Sequence, residues 1–132
     1  MNQIFVDTSA WYAIYDKSDG RHEAAARFLN ETPALLITSN LIFAETLSLM
    51  TKRLGKTLAL NFGRKVRASG RVRILHLDAA LEESAWSCFE RYHDKPWDFI
   101  DCASFALMDS LKLGKAFTFD AHFRQKGFQV AP

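Results

Sequence analysis

The 132-residue sequence has little of what marks secreted, membrane-spanning or zinc-bound proteins. Its two cysteines, Cys88 and Cys102, form neither a C-x-x-C pair nor a cluster with the four histidines, which favours reduced thiols and argues against a structural zinc site. No uninterrupted apolar run approaches the length of a transmembrane helix. Asp7 interrupts the only apolar run near the N-terminus. We therefore expect no signal peptide, no membrane contact and a cytoplasmic location.

Acidic residues are absent between Glu45 and Asp78, although the formal net charge of the chain is only +2. The basic residues in that interval are Lys52, Arg53, Lys56, Arg64, Lys65, Arg67, Arg71 and Arg73. A block of one sign can steer a polyanion towards the protein. It is equally typical of a solvated helical hairpin, so the block alone decides nothing.

Short apolar segments alternate with helical patterns along the chain, and hydrophobic residues make up 48% of it. Strands are predicted at residues 4–6, 35–38, 72–77 and 116–119, with a last edge strand at 128–130. Strands that alternate with helices predict a parallel sheet covered on both faces. No linker or repeat divides the sequence, and we expect one α/β domain over residues 1–132.

Two predicted strands end at an aspartate. Asp7 follows the first strand and Asp120 follows the fourth. Sites in parallel sheets form beyond the carboxyl ends of the strands, close to the point where the strand order reverses. Each aspartate also precedes a predicted helix, and aspartate is a good N-cap. Either residue is therefore a helix cap or part of a chemical site.

Glu45 lies in the helical pattern LIFAETLSLM, in one row with Leu41 and Leu49. A carboxylate on an apolar row is costly to bury unless it is paired or binds a metal. No basic residue stands three or four positions away to pair with it. The alternative is a row that faces water, with Ser48 beside it.

Asp98 and Asp101 stand three residues apart at the predicted start of a later helix. That spacing is typical of an N-cap followed by an acid in the first turn, a place that the helix dipole favours. Asp101 can also project towards the end of the sheet that carries the other acids.

Four acids on four separate elements then form one candidate site, namely Asp7, Glu45, Asp101 and Asp120. Without cations their convergence would be repulsive and would raise their pKa values. Mg²⁺ prefers oxygen ligands, and two such ions about 4 Å apart can activate water and stabilise the leaving oxygen in phosphodiester hydrolysis. The pattern therefore favours a metal-dependent hydrolase.

Three segments of the chain resemble the PIN-domain nucleases, and most closely their VapC-type toxin branch. They are FVDTSAWYAI near the start, TSNLIFAETLSLM in the middle, and WDFIDCASFALM followed by AFTFDAHFRQKGF near the end. The resemblance covers essentially the whole chain. It implies a three-layer α/β/α sandwich with a central, mostly parallel sheet of about five strands.

The resemblance also implies a metal-dependent endoribonuclease whose cofactor is Mg²⁺ or Mn²⁺. The acids that match the family's metal-binding positions are Asp7, Glu45, Asp101 and Asp120. The hydroxyl residues that match supporting positions are Thr8 or Ser9, and Thr118. Asp98 stands where many relatives carry Ser or Thr, so it is either a fifth acid of the site or only the helix cap.

Members of this branch usually act as toxins that a cognate antitoxin inhibits, and homodimers are common among them. The residues that we assign to RNA binding are Arg124, Lys126, Lys52 and Arg53. His122 is either a proton donor, a phosphate contact or a surface residue of a short helix.

Three other functions stay open. The first is a housekeeping RNA-processing nuclease of the same fold, and the second is a non-catalytic module that binds RNA or protein. The third is a phosphatase of the haloacid-dehalogenase type, which needs a second aspartate where this chain has Ser9.

Overall fold

Strands and helices alternate along residues 2–132, the part of the chain that the computed structural model describes. In chain order the elements are β1 (Gln3–Val6), α1 (Thr8–Tyr15), α2 (His22–Glu31), β2 (Leu35–Ser39), α3 (Asn40–Leu54), α4 (Lys56–Ala68), β3 (Val72–Leu75), α5 (Ala79–Arg91), α6 (Phe99–Ser110), β4 (Lys115–Phe117), α7 (Ala121–Lys126) and β5 (Gln129–Ala131). The predicted alternation is confirmed.

The five strands form one sheet in the order β3-β2-β1-β4-β5. All four strand pairs are parallel, including the pair formed by the edge strand β5. The sheet predicted as mostly parallel is therefore fully parallel. The chain runs from β1 outwards to β3, then returns to the other side of β1 to form β4 and β5. This reversal places a crevice beyond the carboxyl ends of β1 and β4.

Helices cover the sheet in two groups. Helices α1 to α4 contact one another, and so do α5, α6 and α7. Right-handed crossovers place helices on opposite faces when the chain moves in opposite directions across a sheet. The result is the predicted α/β/α sandwich. Among the described residues, no helix has the length and apolar character that crossing a membrane requires.

Three elements end earlier than the sequence predicts, and each has a local reason. Strand β4 stops before Thr118, whose hydroxyl accepts the backbone N–H of Asp120 and starts a turn. Strand β3 stops before Leu77, whose backbone N–H is donated to the side chain of Asn40. Helix α6, which the sequence predicts to begin at Asp98 and to be ended by Gly114, stops at Ser110, because Lys112 adopts a left-handed backbone conformation with φ of 56°.

Candidate active site

An open cavity of about 330 Å³ lies beyond the carboxyl ends of β1 and β4. The carboxylates on its wall are Asp7, Asp19, Glu45, Asp98, Asp101 and Asp120. The structure therefore brings together all four acids that the sequence selects. Two arginines, Arg21 and Arg53, line the same cavity.

Asp7 is buried at the start of α1 and is held by two hydroxyl groups. Its Oδ2 accepts hydrogen bonds from Thr118 Oγ1 at 2.9 Å and from Ser9 Oγ at 3.0 Å. Each hydroxyl in turn accepts a backbone N–H, Thr118 from Asp120 and Ser9 from Phe119. Each hydroxyl thus uses one lone pair for a backbone N–H and has its proton available for Asp7, and the two hydroxyl oxygens lie 3.2 Å apart. Asp7 makes no side-chain capping bond to α1, so its carboxylate is not used as a cap.

Glu45 is half-buried on α3 and is oriented by a different hydroxyl. Thr8 Oγ1 donates to Glu45 Oε1 at 2.6 Å. Thr46, one position further along α3, approaches the same Thr8 hydroxyl at 3.5 Å. Thr8 therefore supports the glutamate, whereas Ser9 supports the first aspartate.

Asp98 and Asp101 form a capping box at the start of α6. Asp98 Oδ1 accepts the backbone N–H of Asp101 at 2.8 Å, and Asp101 Oδ2 accepts the backbone N–H of Asp98 at 3.1 Å. Asp98 is exposed and Asp101 is buried. Asp98 therefore acts as the cap, and Asp101 presents its carboxylate to the cavity.

His122 links Asp101 to Asp120. Its Nδ1 lies 2.8 Å from Asp101 Oδ2 and 3.3 Å from Asp120 Oδ1. Asp120 also caps α7, because its Oδ1 accepts the backbone N–H of His122. Asp120 thus caps α7 and also lines the cavity, and His122 belongs to the acidic cluster.

Burial and mutual repulsion raise the pKa of two of these acids. Burial raises the pKa of Asp7 from 3.8 to about 6, against the lowering effect of the Thr118 and Ser9 hydrogen bonds. Burial, and then the charge of Asp98, raise the pKa of Asp101 to about 6. A cavity wall with this electrostatics favours a bound cation or a bound proton.

One oxygen of each of the four acids is held by the protein. These atoms are Asp7 Oδ2, Glu45 Oε1, Asp101 Oδ2 and Asp120 Oδ1. Each carboxylate thus has a fixed orientation and a second oxygen that can bind a cation. Asp101, Asp120 and His122 can place one ligand atom each within 4.8 Å of one another. A set dominated by carboxylate oxygens suits Mg²⁺ or Mn²⁺.

The basic residues that the sequence selects are spread over different surfaces. Arg53 lines the acidic cavity, whereas Lys126 lies in the groove between α5 and α6. Lys52 and Arg124 are exposed. Within the basic block, Arg71 donates to the backbone carbonyls of residues 29, 32 and 34 and fixes the turn before β2.

Three further residues of the cavity were not selected from the sequence. Arg21 and Asp19 lie in the loop between α1 and α2, where no periodic pattern indicates their direction. Tyr12 is buried and its aromatic ring lies under Arg53. His122, by contrast, has a local sequence signal, since it follows a strand-end aspartate by two positions.

Replacing Thr118 with valine is expected to weaken both the fold and the site. The change keeps the shape but removes the donor to Asp7 and the acceptor for the Asp120 N–H. We expect the free energy of unfolding to fall by about 1–3 kcal/mol and catalytic activity to fall about tenfold or more. Urea denaturation and a cleavage assay would measure the two effects.

Thr51→Val is the matched control, because this exposed hydroxyl donates only to the Leu47 carbonyl of its own helix. It should leave activity unchanged. If Thr118→Val lost stability but retained full activity, Thr118 would stabilise the turn without orienting Asp7.

Comparisons of the sequence with known proteins agree with this geometry. Residues 4–129 match the family described as PIN domain. The chain is 38% identical to the 23S rRNA-specific endonuclease VapC20 of Mycobacterium tuberculosis, over 98% of both proteins. It is 27% identical to the ribonuclease VapC26 of the same organism, over 91% of this chain and 89% of that protein.

Two solved structures share the fold. The crystal structure of Mycobacterium tuberculosis VapC20, described as a sarcin–ricin loop cleaving toxin, matches with a TM-score of 0.92 and 37% identity. That match covers 98% of this chain and all of the other. FitAcB from Neisseria gonorrhoeae matches with a TM-score of 0.71 and 19% identity, over 98% of this chain and 97% of that chain, and supports the fold alone.

Proposed function

The chain belongs to the PIN domain family, and on that basis we propose that it is a metal-dependent endoribonuclease and the toxin of a toxin–antitoxin pair. One observation carries the proposal. Four carboxylates from four separate elements converge in one open cavity, each with one oxygen held and one oxygen available. Such a wall repels a phosphodiester unless a cation is present.

In this proposal Mg²⁺ or Mn²⁺ is held by Asp7, Glu45, Asp101 and Asp120. When bound, a divalent cation offsets phosphate charge and lowers the pKa of water. Asp98 stays outside the set, since it is exposed, whereas the other four acids are buried or half-buried.

The other residues of the site keep the carboxylates in place. Ser9 and Thr118 hold Asp7, and Thr8 holds Glu45. His122 holds Asp101 and Asp120 at the spacing of the cluster. Such supporting contacts fix the direction of each ligand before the substrate arrives and reduce the reorganisation that the reaction needs.

Basic residues near the cavity are the proposed contacts for the RNA backbone. Arg53 lines the cavity, and Lys52 is its exposed neighbour at the end of α3. Arg124 is exposed on α7, the helix that Asp120 caps. Lys126 is a weaker candidate because it lies in the groove between α5 and α6.

Ribosomal RNA is the first substrate to test. The curated relative that is 38% identical over 98% of the chain is named a 23S rRNA-specific endonuclease, and its crystal structure is described as that of a sarcin–ricin loop cleaving toxin. We propose the same RNA class for this chain.

A cognate antitoxin is the proposed protein partner, with a segment that covers the acidic cavity. A homodimer stays a prediction from the family resemblance. A gene next to this one that encodes a small protein able to inhibit cleavage would favour a toxin over a housekeeping nuclease.

The purified protein is expected to cleave 23S rRNA only when Mg²⁺ or Mn²⁺ is present. EDTA should lower the rate by at least about 100-fold, because a cation supplies several kcal/mol of charge stabilisation. Added Mn²⁺ in excess should restore the rate. Gel electrophoresis of the RNA and mapping of the new ends would measure this.

Three outcomes would contradict the proposal in different ways. Cleavage that survives EDTA would exclude the metal mechanism. RNA binding without cleavage would support a non-catalytic module. Turnover of a simple phosphate ester without RNA cleavage would support a phosphatase.

A further inference from the structure

Two arginines line the cavity of the carboxylates, and they come from different parts of the chain. Arg53 lies in the last turn of α3, about two turns after Glu45. Arg21 lies in the loop that precedes α2. Among the described residues, the charged side chains on the cavity wall are these two arginines and the six carboxylates.

Each guanidinium lies over an aromatic ring. Arg53 Cζ is 5.5 Å from the ring centroid of Tyr12, a residue of the cavity wall. Arg21 Cζ is 5.1 Å from the ring centroid of Phe119, the residue before Asp120. An aromatic face attracts a guanidinium and limits its orientations. Both arginines are thus partly preorganised.

Asp19 fixes Arg21 further. Its Oδ1 accepts the backbone N–H of Arg21 at 2.8 Å and the Nε–H of the side chain at 3.4 Å. The Arg21 side chain is nevertheless 49% exposed, whereas that of Asp19 is 14% exposed. Among the described residues, no hydrogen bond uses the two terminal amino groups of Arg21. Those groups can bind a ligand while Nε stays on Asp19.

We propose that Arg21 and Arg53 form a phosphate clamp that binds the RNA phosphates next to the scissile one. This inference rests on the proposed function and adds a substrate-positioning role for Arg21. A guanidinium fork matches two phosphate oxygens, and phosphate contacts set the register of a nucleic acid on a protein. The clamp gives an otherwise acidic cavity two fixed points for a polyanion.

Binding should be measured in the Asp7→Asn background, so that the RNA stays intact. The probes are a fluorescein-labelled sarcin–ricin stem-loop and a labelled uridine 12-mer, titrated in Mg²⁺ at several salt concentrations. Arg21→Ala and Arg53→Ala should each raise Kd about 5- to 20-fold and lower the salt slope by about 0.7. Lysine at either position should give a smaller loss, because it keeps the charge but not the fork.

Arg91→Ala is the matched control. Arg91 Cζ also lies over an aromatic ring, 5.4 Å from that of Tyr92, but its side chain lines the groove between α5 and α6. Its removal should change Kd less than twofold. Thermal unfolding of every variant would show that the fold is retained.

The clamp would be overturned if both probes bound Arg21→Ala and Arg53→Ala as tightly as they bind the protein that carries only Asp7→Asn. It would also be overturned if none of these proteins bound either probe measurably. The proposed function is tested separately, by metal-dependent cleavage with the wild-type protein. If wild-type protein cleaves RNA and the arginine variants keep its KM and kcat, only the clamp is wrong. If wild-type protein cleaves no RNA, the proposed function fails.

Discussion

Asparagine in place of Asp7 is expected to lower RNA cleavage by about 10³-fold while the protein stays folded. Asp7 directly follows β1, lies in the cavity wall and has one oxygen available for a cation. A neutral amide is a much weaker cation ligand, and loss of about 4 kcal/mol of charge stabilisation corresponds to about 10³-fold in rate. Single-turnover cleavage of 23S rRNA in saturating Mg²⁺ would measure the loss.

The same change is expected to maintain or raise stability. Burial of the Asp7 carboxyl disfavours its ionised form and thereby raises its pKa to about 6. Asparagine has the same shape, carries no charge and can still accept the Ser9 and Thr118 hydrogen bonds. We therefore expect no decrease in Tm at pH 7, where aspartate would be ionised.

Asp78→Ala is the contrasting control, because Asp78 caps α5 through a hydrogen bond from the Leu81 N–H. Removing that cap should cost about 1 kcal/mol of stability and leave the cleavage rate per folded molecule unchanged. If Asp7→Asn behaved in this way instead, Asp7 would be a structural residue and the metal site would need other ligands.

The positions of the acids on their strands and helices could be predicted because they follow from local patterns. Asp7 follows an apolar strand, and Glu45 lies on a helix row whose next member, Leu49, also lines the cavity. The proximity of Asp7 and Asp120 is a different matter, because it depends on β4 pairing with β1 across about 110 residues of chain. No local signal specifies that strand order. The sequence indicated only that both acids lie at the carboxyl ends of strands.

The family resemblance implied supporting hydroxyls at Thr8 or Ser9, but not the acid that each one holds. Thr8 and Ser9 are neighbours on α1, and successive residues of a helix point about 100° apart. They therefore hold different acids, Glu45 and Asp7. His122 faces Asp101, and Phe123, the next residue, is buried in the core on another side of α7.

The distribution of basic residues along the sequence did not predict which of them line the cavity. Eight basic residues fall between Glu45 and Asp78, and the structure describes all of them. Of these eight, Arg53 lines the acidic cavity. Arg64 and Arg67 border the groove between α3 and α4 instead. Arg21, outside the block, reaches the cavity because Asp19 and Phe119 hold it there. Individual contacts, rather than local composition, decide where each guanidinium lies.

The metal-free protein is expected to lose stability as the pH rises from about 4 to 7. Burial raises the pKa of Asp7 from its ordinary value of 3.8 to about 6, so between these pH values the folded state binds a proton that the unfolded state has released. The contribution of Asp7 to the free energy of unfolding is therefore largest below pH 3.8 and is lost as the pH rises through 6. The shift corresponds to about 3 kcal/mol in total and about 2 kcal/mol between pH 4.5 and 7.5. Asp101 adds a contribution of the same sign.

Comparison with Asp7→Asn isolates this contribution, because every other titrating group is shared. Urea denaturation in EDTA should show the wild-type free energy of unfolding falling by about 2 kcal/mol relative to the variant between pH 4.5 and 7.5. At pH 7.5 saturating Mn²⁺ should restore about that much to the wild type, since at about 100 times its Kd a ligand adds about 2.7 kcal/mol. The recovery should be small at pH 4.5, where protons compete for the carboxylates, and small in Asp7→Asn. A wild-type stability that rises with pH relative to the variant would mean that Asp7 is ionised and paired in the metal-free protein, and that its burial imposes no demand for a cation.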